Sequence, residues 1–500
     1  MVMIGENNID CNNANCKMLE YETVIGLEVH IELATNTKIF CGCSTTFGEE
    51  ENVNICPVCT GMPGSLPVLN KKVVEYAIAV GLALHGNITP ITRFDRKNYF
   101  YPDNPQGYQI SQLYFPIVTG GFLTIQGEDG NKNIRIHELH MEEDAGKLIH
   151  DEKENSSYID FNRSGVPLIE IVTEPDLRSA GEVMEFLETL KSRIQYLGVS
   201  DCKLQEGSMR VDVNLSVRKK GDTKLGTRTE MKNLNSFRGI QRAIANETKR
   251  QIALLEAGKV VERETRRWDD TKGTSYSMRS KEDAMDYRYF PEPDLPPVII
   301  SNDWIEKIKK KEPEFREEKI IRYQSQYGIS EYDSRLLTET KEMAACFEET
   351  IVHFNQPKEV ANWLMVETLS LLKEKGLDST KLLFSPEQLA SLLTMIYNKV
   401  INRTVAKEVF EAIFGTDLCP VEYVAAHNLS MIQDEERIIQ IVEQVIGENE
   451  QSVQDYIEGK KRAMGFLVGQ VMKATKGKAD PQKVNELVQV CLERFIKSEI

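Results

Sequence analysis

The sequence lacks the features that would place it in a membrane or in a secreted, disulfide-rich class. None of its apolar runs approaches the roughly 18 residues that a membrane-spanning helix requires. Ten cysteines among 500 residues do not make a disulfide framework. Residues 1–20 contain neither a basic segment followed by an apolar one nor the arginines of a transit peptide. These absences predict a cytoplasmic protein with a polar N-terminal extension.

Two common nucleotide-binding signatures are also missing. No G-x-x-x-x-G-K-[ST] loop occurs, and no G-x-G-x-x-G turn follows a predicted strand. The net charge of −16 argues against indiscriminate nucleic-acid binding but leaves room for a local basic patch. If ATP binds, we therefore expect it on a sheet, where Mg²⁺ and Arg or Lys side chains neutralise its phosphates.

What the chain does contain divides it into two kinds of sequence. Residues 21–297 are rich in glycine, proline and alternating apolar and polar positions, which is typical of strands and turns. After the proline-dense segment 286–297 the pattern becomes helical. We predict an α+β domain with a largely antiparallel sheet at 21–297, a helical linker domain at 298–408 and a helical tail domain at 409–500.

The helical region carries explicit start signals. Ser385, followed by a proline and then by Gln388 at the third helical position, predicts a capping box. Asp480-Pro481 predicts the start of another helix, along which apolar residues recur at helical spacing.

Four predicted strands each alternate an apolar face with a polar face. The polar positions are Glu28, His30 and Glu32 in VIGLEVHIEL, Glu170 and Glu174 in PLIEIVTEP, Asp212, Asn214 and Ser216 in RVDVNLSVR, and Arg228, Glu230 and Lys232 in TRTEMKNLN. A sheet with one packed face and one solvated face would show the same alternation. However, neighbouring acids repel one another unless a cation neutralises them, and oxygen ligands beside a histidine suit Mg²⁺. The pattern therefore predicts a metal–phosphate site on the polar face.

A further acidic segment, ELHMEEDAGK at 138–147, places His140, Glu142, Glu143 and Asp144 within five positions. Such a run by itself is most often a solvated turn. Beside a metal-binding sheet face, its acids are candidate contributors from a neighbouring strand end.

Four cysteines form two tight pairs, Cys41-x-Cys43 and Cys56-x-x-Cys59. Two such pairs match a closed, tetrahedral, structural Zn²⁺ site. Four buried cysteines without a metal are the alternative. A fifth ligand is not suggested, so the metal would fold a loop rather than take part in chemistry.

Two segments combine features of nucleic-acid contacts. Segment 93–112 interleaves Arg and Lys with Tyr99, Tyr101 and other aromatic residues, which can hold phosphate and stack an unpaired base. Segment 459–478 carries six basic residues and no acid. Aromatic residues that fill a core and a solvated helix end are the alternatives. The predicted nucleic-acid contacts are Tyr99, Tyr101, Lys460, Lys461, Arg462 and Lys476.

Taken in order, the motifs resemble the B subunits of bacterial aspartyl/glutamyl-tRNA amidotransferases. The segments that carry the resemblance are ETVIGLEVHIEL, FDRKNYFYPDNPQGYQISQ, LHMEEDAGK, PLIEIVTEPD, EMKNLNSF, DYRYFPEPD and AMGFLVGQVMKATKGKADPQ. The resemblance implies a glutamine-synthetase-like catalytic domain. It also implies that ATP phosphorylates the side-chain carboxylate of Glu-tRNA(Gln) or Asp-tRNA(Asn), which ammonia then converts to the amide. The implied partners are the glutaminase/amidase (A) subunit, which supplies the ammonia, the small (C) subunit, and the misacylated tRNA.

The resemblance also implies roles for individual residues. It places His30, Glu143 and Glu170 at Mg²⁺ and leaves open whether Glu142 or Glu143 is the ligand. It places Glu28, Lys97, Glu142 and Asp212 nearby, as further catalytic candidates. The predicted ATP-binding residues are Arg210, Arg228 and Lys232. Two other hypotheses are a zinc-stabilised tRNA-binding scaffold without chemistry, which leaves the acidic face unexplained, and a metallohydrolase, which a closed cysteine site disfavours.

Overall fold

The computed structural model describes residues 20–127, 130–151, 155–280, 287–432, 434–460, 462–475 and 477–498. The predicted extension, apart from Glu20, and the predicted tRNA contacts Lys461 and Lys476 lie outside these residues. The chain divides into two compact units, 1–315 and 316–500. Among the described residues, no helix combines the length and apolar character needed to cross a bilayer. The domain boundaries at 297 and 408 stay predictions.

The first unit is built around one large sheet. The strands of the whole unit are β1 (Tyr21–Glu32), β2 (Asn87–Ile88), β3 (Ile91–Thr92), β4 (Asp95–Asn98), β5 (Tyr108–Ser111), β6 (Val118–Thr119), β7 (Phe122–Gly127), β8 (Gly130–Glu143), β9 (Lys147–Asp151), β10 (Ser156–Asp160), β11 (Pro167–Thr173), β12 (Met209–Lys219), β13 (Thr229–Lys232), β14 (Glu264–Asp269), β15 (Thr274–Ser280), β16 (Phe290–Pro291) and β17 (Val298–Ile299). The large sheet has the strand order β15-β14-β13-β12-β1-β11-β8-β6-β2, and β7 pairs with β8. Adjacent strands in this sheet run antiparallel, except that β13 and β14 run parallel to each other. The predicted, largely antiparallel sheet is confirmed.

The apolar face of this sheet is covered by three helices: α1 (Lys71–Ala83), α2 (Ala180–Leu197) and α3 (Phe237–Glu256). The side chains of Asn70, Ser179 and Ser236 cap the helix N-termini by accepting backbone N–H bonds, which orients each helix where it leaves its loop. Along β1, the odd-numbered residues from Leu27 to Ile31 are no more than 1% exposed, which confirms the predicted alternation. Burial of each such side chain contributes about 1.5–3 kcal/mol. This core fixes the direction of the even-numbered side chains opposite.

A small sheet borders the polar face at the end of β8. Its strands follow the order β16-β4-β5. The Ser111 hydroxyl of β5 donates to Glu142 at 3.2 Å, and the Ile110 backbone N–H donates to Glu143 at 2.8 Å. Four further strands form two separate two-stranded sheets, β9–β10 and β3–β17. The chain after β17 ends the first unit with α4 (Asn302–Lys309).

The second unit is helical in the part that the structure describes. Its helices are α5 (Arg316–Tyr327), α6 (Glu331–Leu337), α7 (Lys341–His353), α8 (Pro357–Asn362), a π-helical turn (Trp363–Thr368), α9 (Leu369–Glu374), α10 (Pro386–Tyr397), α11 (Arg403–Ile413), α12 (Pro420–Ala426), α13 (Glu435–Glu448), α14 (Glu450–Ile457), α15 (Arg462–Ala474) and α16 (Pro481–Ser498). The Ser385–Gln388 capping box and the helix start at Pro481 are confirmed. One apolar core extends from Tyr323 to Val424, and a separate one extends from Ile438 to Leu492.

Candidate active site

The register of four neighbouring strands places a row of charged side chains across the polar face. Arg210 on β12 lies opposite His30 on β1, His30 lies opposite Glu170 on β11, and Glu170 lies opposite His140 on β8. Residues directly opposite in antiparallel strands have Cβ atoms about 4.5–5.5 Å apart. The strand ladder therefore brings together groups that are up to 180 residues apart in sequence.

Two of these groups, His30 and Glu170, converge with Glu142 closely enough to share a cation. His30 Nε2 lies 3.3 Å from Glu170 Oε2 and 3.7 Å from Glu142 Oε1. One ligand atom from each of His30, Glu142 and Glu170 can be chosen so that all lie within 4.8 Å of one another. One imidazole and two carboxylates, mostly buried, form a donor set that suits Mg²⁺.

The pKa values of this cluster respond to its opposite charges. Burial alone would lower the pKa of His140, but Glu170 and Glu142 outweigh it and raise that pKa to about 9. The same balance raises the pKa of His30, with Glu170 as the main partner. Burial would raise the pKa of Glu170, yet His140 and His30 hold it well below its usual value. Glu170 is thus held as an anion, which is the form that binds a metal.

Glu143 lies apart from this cluster, and the expectation that it joins His30 and Glu170 does not match the geometry. Its side chain accepts hydrogen bonds from Ile110 N at 2.8 Å and from Gln106 Nε2 at 2.6 Å. Burial raises the pKa of Glu143 to about 8. Successive residues of a strand point to opposite faces, and it is Glu142 that shares the face of His140. The geometry thus favours Glu142 over Glu143 as the ligand.

A second cluster of acids lies further along the same strands. Ligand oxygens of Glu28, Asp212 and Glu230 can lie within 4.8 Å of one another. The Lys232 ammonium contacts Asp212 at 2.6 Å and Glu230 at 3.0 Å. Asn214 Nδ2 donates to Glu28 at 2.9 Å, while burial raises the pKa of Glu28. Lys232, predicted to bind ATP, therefore balances the charge of these acids.

The remaining predicted ATP-binding residues differ in their surroundings. Arg210 Nη2 binds Asp144 at 2.7 Å, and Arg210 lines a cavity of about 700 Å³ together with Glu32 and Asp212. That volume lies within the range of small-molecule sites. Arg228, by contrast, is exposed, and it is absent from the lining of that cavity.

The residues of segment 93–112 that were predicted to act at the site have different surroundings. Lys97 Nζ lies 5.1 Å from the ring centre of Tyr287, and Tyr99 packs edge-on against Tyr287. Tyr101 is exposed, as an aromatic residue that meets a ligand would be. Burial and then the charge of Glu142 raise the pKa of Tyr289.

The sequence assigned no individual role to His140, Glu230 or Tyr289, although it placed Glu230 on the predicted polar face. His140 is two residues before Glu142 in the same strand, so the two side chains lie on the same face of the sheet. This spacing is the local feature of the sequence that predicts the position of His140. The positions of Glu230 and Tyr289 depend on which strands are neighbours, and a single sequence does not reveal that.

The four cysteines of the two pairs come together, as the spacing predicts. The sulfur atoms of Cys41, Cys43, Cys56 and Cys59 all lie within 4.8 Å of one another, and those of Cys56 and Cys59 are 3.9 Å apart. Four sulfurs in a tetrahedron around Zn²⁺ would be about 3.8 Å apart for bonds of about 2.3 Å. The donor set and spacing therefore fit a structural Zn²⁺ site.

The basic tail segment is only partly free of internal ion pairs. Lys460 Nζ contacts Asp455 at 2.8 Å and Glu458 at 3.0 Å. Arg462, the first residue of α15, is exposed. Lys461 and Lys476 belong to the same prediction but lie outside the described residues.

Comparison with known proteins gives consistent matches along the chain. Residues 23–306 match the family described as the GatB/GatE catalytic domain, and residues 345–492 match the family described as the GatB domain. The chain is 61% identical over 475 residues to the B subunit of the aspartyl/glutamyl-tRNA(Asn/Gln) amidotransferase of Agathobacter rectalis, covering 95% of this chain and 100% of that protein. It is 56% identical over 480 residues to the protein of the same name from Caldicellulosiruptor saccharolyticus, with the same coverage.

Proposed function

The chain belongs to the GatB/GatE family of amidotransferase subunits, and on that premise we propose that it amidates misacylated tRNA. Its substrates are Glu-tRNA(Gln), Asp-tRNA(Asn) or both, and its products are Gln-tRNA(Gln) and Asn-tRNA(Asn). It acts as an ATP-hydrolysing carbon–nitrogen ligase together with the amidase (A) subunit, which releases ammonia from glutamine, and the small (C) subunit. Since its substrate is an aminoacyl-tRNA, its place of action is the cytoplasm.

The proposed reaction has two steps. The side-chain carboxylate of the misacylated amino acid attacks the γ-phosphorus of ATP, the bond to the β-phosphate oxygen breaks, and ADP leaves. Ammonia then attacks the carbonyl carbon of the acyl phosphate, the carbon–oxygen bond to phosphate breaks, and a proton is lost to give the amide. Phosphorylation is needed because a carboxylate is a poor electrophile, and phosphate provides the leaving group.

The convergence of His30, Glu142 and Glu170 is the observation that carries this proposal. We assign these three residues to Mg²⁺, which would neutralise phosphate charge as it moves. Glu170 lies 3.3 Å from His30 and 3.0 Å from His140, and His30 would release its proton to bind the cation as a neutral imidazole. Strand pairing holds the three side chains rigidly, which is what a preorganised site requires.

Cationic side chains flank this set and would steady the phosphates of ATP. Arg210 lies directly opposite His30 and is oriented by Asp144. Lys232 is held between Asp212 and Glu230, which with Glu28 supply further carboxylate oxygens beside the site. Charge-assisted hydrogen bonds of this kind fix the direction of each cation before ATP arrives.

We further propose a structural Zn²⁺ at the four cysteines and tRNA contacts at two places. Zn²⁺ would tie down the loop that carries Cys41–Cys59, because a closed set of four thiolates offers no open position for chemistry. Tyr99 and Tyr101 would meet the acceptor end of tRNA, and the basic tail, including Arg462, would contact its backbone.

The proposal is tested in the complex assembled with its partner subunits. Misacylated tRNA, ATP and ammonium, which bypasses the amidase, are supplied, and amide and ADP are measured. The wild type should form both, while His30→Ala should form neither yet still bind tRNA. A wild-type complex that makes no ATP-dependent amide overturns the proposal and favours a tRNA-binding scaffold. Unchanged turnover in His30→Ala overturns the assignment of the site.

A further inference from the structure

Lys38 is a lysine buried completely, with 0% of its surface exposed. Its ammonium donates a hydrogen bond to the backbone carbonyl of Phe161 at 3.2 Å. Among the described residues, the ammonium forms no ion pair with a carboxylate, and its one side-chain hydrogen bond is the one to Phe161. Lysine is almost never fully buried unless its charge is matched. The sequence placed no role on this residue.

A buried ammonium with one neutral acceptor is costly. Moving a charged group out of water costs several kcal/mol even after relaxation, unless an opposite charge compensates. A backbone carbonyl supplies part of that compensation but carries no net charge. Glu143 lines the same small cavity as Lys38 but forms no ion pair with it, which leaves the cysteine thiolates as the nearest other source of negative charge.

The four-cysteine cluster lies beside Lys38. Gly165 lies between the two side chains. A Cβ atom added to it would lie 3.5 Å from Cys59 Cβ and 3.5 Å from Lys38 Cδ. Lys38 also lines a cavity of about 20 Å³ together with Cys41 and Cys59. Its backbone N–H donates to the carbonyl of Cys43 at 3.0 Å, which ties the lysine to the cysteine loop.

Charge counting explains why these groups belong together. Four thiolates around a divalent cation leave a net charge of −2 in a partly buried place. A single buried ammonium halves that excess and is itself compensated. Groups that surround the ligands of a metal in this way tune its affinity.

We propose that Lys38 is the buried counter-cation of the four-cysteine cluster, and that it offsets the excess negative charge that four thiolates leave around a divalent metal. This inference rests on the proposed Zn²⁺ site. Lys38 is a positioning residue: it touches neither the metal nor the substrate. If Lys38 served only to fill space and to bind Phe161, a neutral side chain of similar length would leave metal affinity unchanged.

The test compares Lys38→Met with Lys272→Met, an exposed lysine in the same unit, in the full chain. Zinc content, competition with a coloured chelator and the rate of zinc loss are measured. Lys38→Met should lower zinc affinity about 10- to 100-fold, while Lys272→Met should have no effect. The melting temperature of the zinc-free protein should be unchanged or higher in Lys38→Met, because an uncompensated buried charge has been removed.

A second substitution distinguishes a lost counter-charge from poor folding if Lys38→Met binds little zinc. Cys43→His replaces a thiolate by a neutral imidazole and reduces the negative charge of the site by one. In the Lys38→Met background it should restore zinc affinity, whereas in the wild type it should not raise it. Equal zinc affinity in Lys38→Met and wild type overturns the role of Lys38. Failure of the wild type to bind zinc overturns the zinc site itself.

Discussion

The acidic face of the sheet and the four-cysteine cluster gather their ligand groups in different ways. His30, Glu142 and Glu170 come from three strands and are aligned by the register of the sheet. The cysteines come from one loop, between Cys41 and Cys59, whose sulfur atoms are brought together by turns. Strand register would hold the first arrangement before any ion arrives, whereas the second, if it binds the proposed Zn²⁺, would depend on that metal for stability. The proposed catalytic Mg²⁺ could therefore exchange, whereas the proposed structural Zn²⁺ would have to stay bound.

This difference predicts that the largest loss of activity comes from the centre of the sheet face. Glu170→Gln removes the charge shared by two imidazoles, with distances of 3.3 Å to His30 and 3.0 Å to His140. Amidation should fall about 10³-fold, because an electrostatic group at the reacting centre is lost. The measurement is amide formation with ammonium at saturating ATP.

The matched control for Glu170→Gln is Glu174→Gln, just beyond the same strand, where the carboxylate binds the exposed His137. Its activity should stay within about twofold of the wild type, as expected for an exposed ion pair. Comparable losses in the two variants would mean that the sheet face has no special role.

The next largest effect should separate two adjacent acids. Glu142→Gln should lower amidation about 10²-fold and raise the Mg²⁺ concentration needed for half-maximal activity, because Glu142 faces His30. Glu143→Gln should cost less than about tenfold, because burial raises the pKa of Glu143 to about 8 and a neutral amide resembles its protonated form. Mg²⁺ titrations of both variants in the same complex give the comparison. A larger Mg²⁺ shift in Glu143→Gln would reverse the assignment.

The choice between Glu142 and Glu143 also marks where sequence reasoning ends. Strand periodicity is local, so it correctly placed His30 and Glu170 on polar faces and the apolar residues of β1 in the core. The contacts of Glu143 with β5 come from a segment more than 30 residues earlier in the chain. No periodicity in either segment encodes that contact.

The same limit applies to the charges within the site. Arg210, Arg228 and Lys232 have similar charges, and their sequence context does not separate them. In the structure Lys232 is held by two acids and Arg210 by one, while Arg228 is exposed. The neighbours of a charged side chain depend on strand order, which the chain specifies only through the complete core. The convergence of the four cysteines could be predicted from the sequence because the members of each pair are only a few residues apart.

Removal of the cysteine ligands should have a smaller effect on activity and a larger one on local stability. Cys56→Ser combined with Cys59→Ser should abolish zinc binding and increase proteolytic cleavage of the loop at least about tenfold, since each 1.4 kcal/mol of lost local stability gives a factor of ten. Amidation should fall only about tenfold, because the sheet register that aligns His30 and Glu170 stays intact. Limited proteolysis and amidation assays on the same preparation check both parts.

The control for the cysteine variant is Cys419→Ser, an exposed cysteine outside the cluster, which should change neither property. A loss of amidation as deep as that of Glu170→Gln would show that the loop participates in chemistry, and the distinction between the two regions would then fail.

The smallest effect should come from the tail, which lies in neither metal region. Arg462→Gln removes an exposed cation and should weaken tRNA binding about two- to threefold, with the salt slope reduced by about one for a lost phosphate contact. Lys460→Gln should change the slope less, because Asp455 and Glu458 already contact this ammonium. Binding measured across a salt series, with Lys272→Gln as the control, separates the two. Equal slopes for all three variants would make the tail a solubilising surface, and the contrast between regions of this chain would then rest on its two proposed metal sites alone.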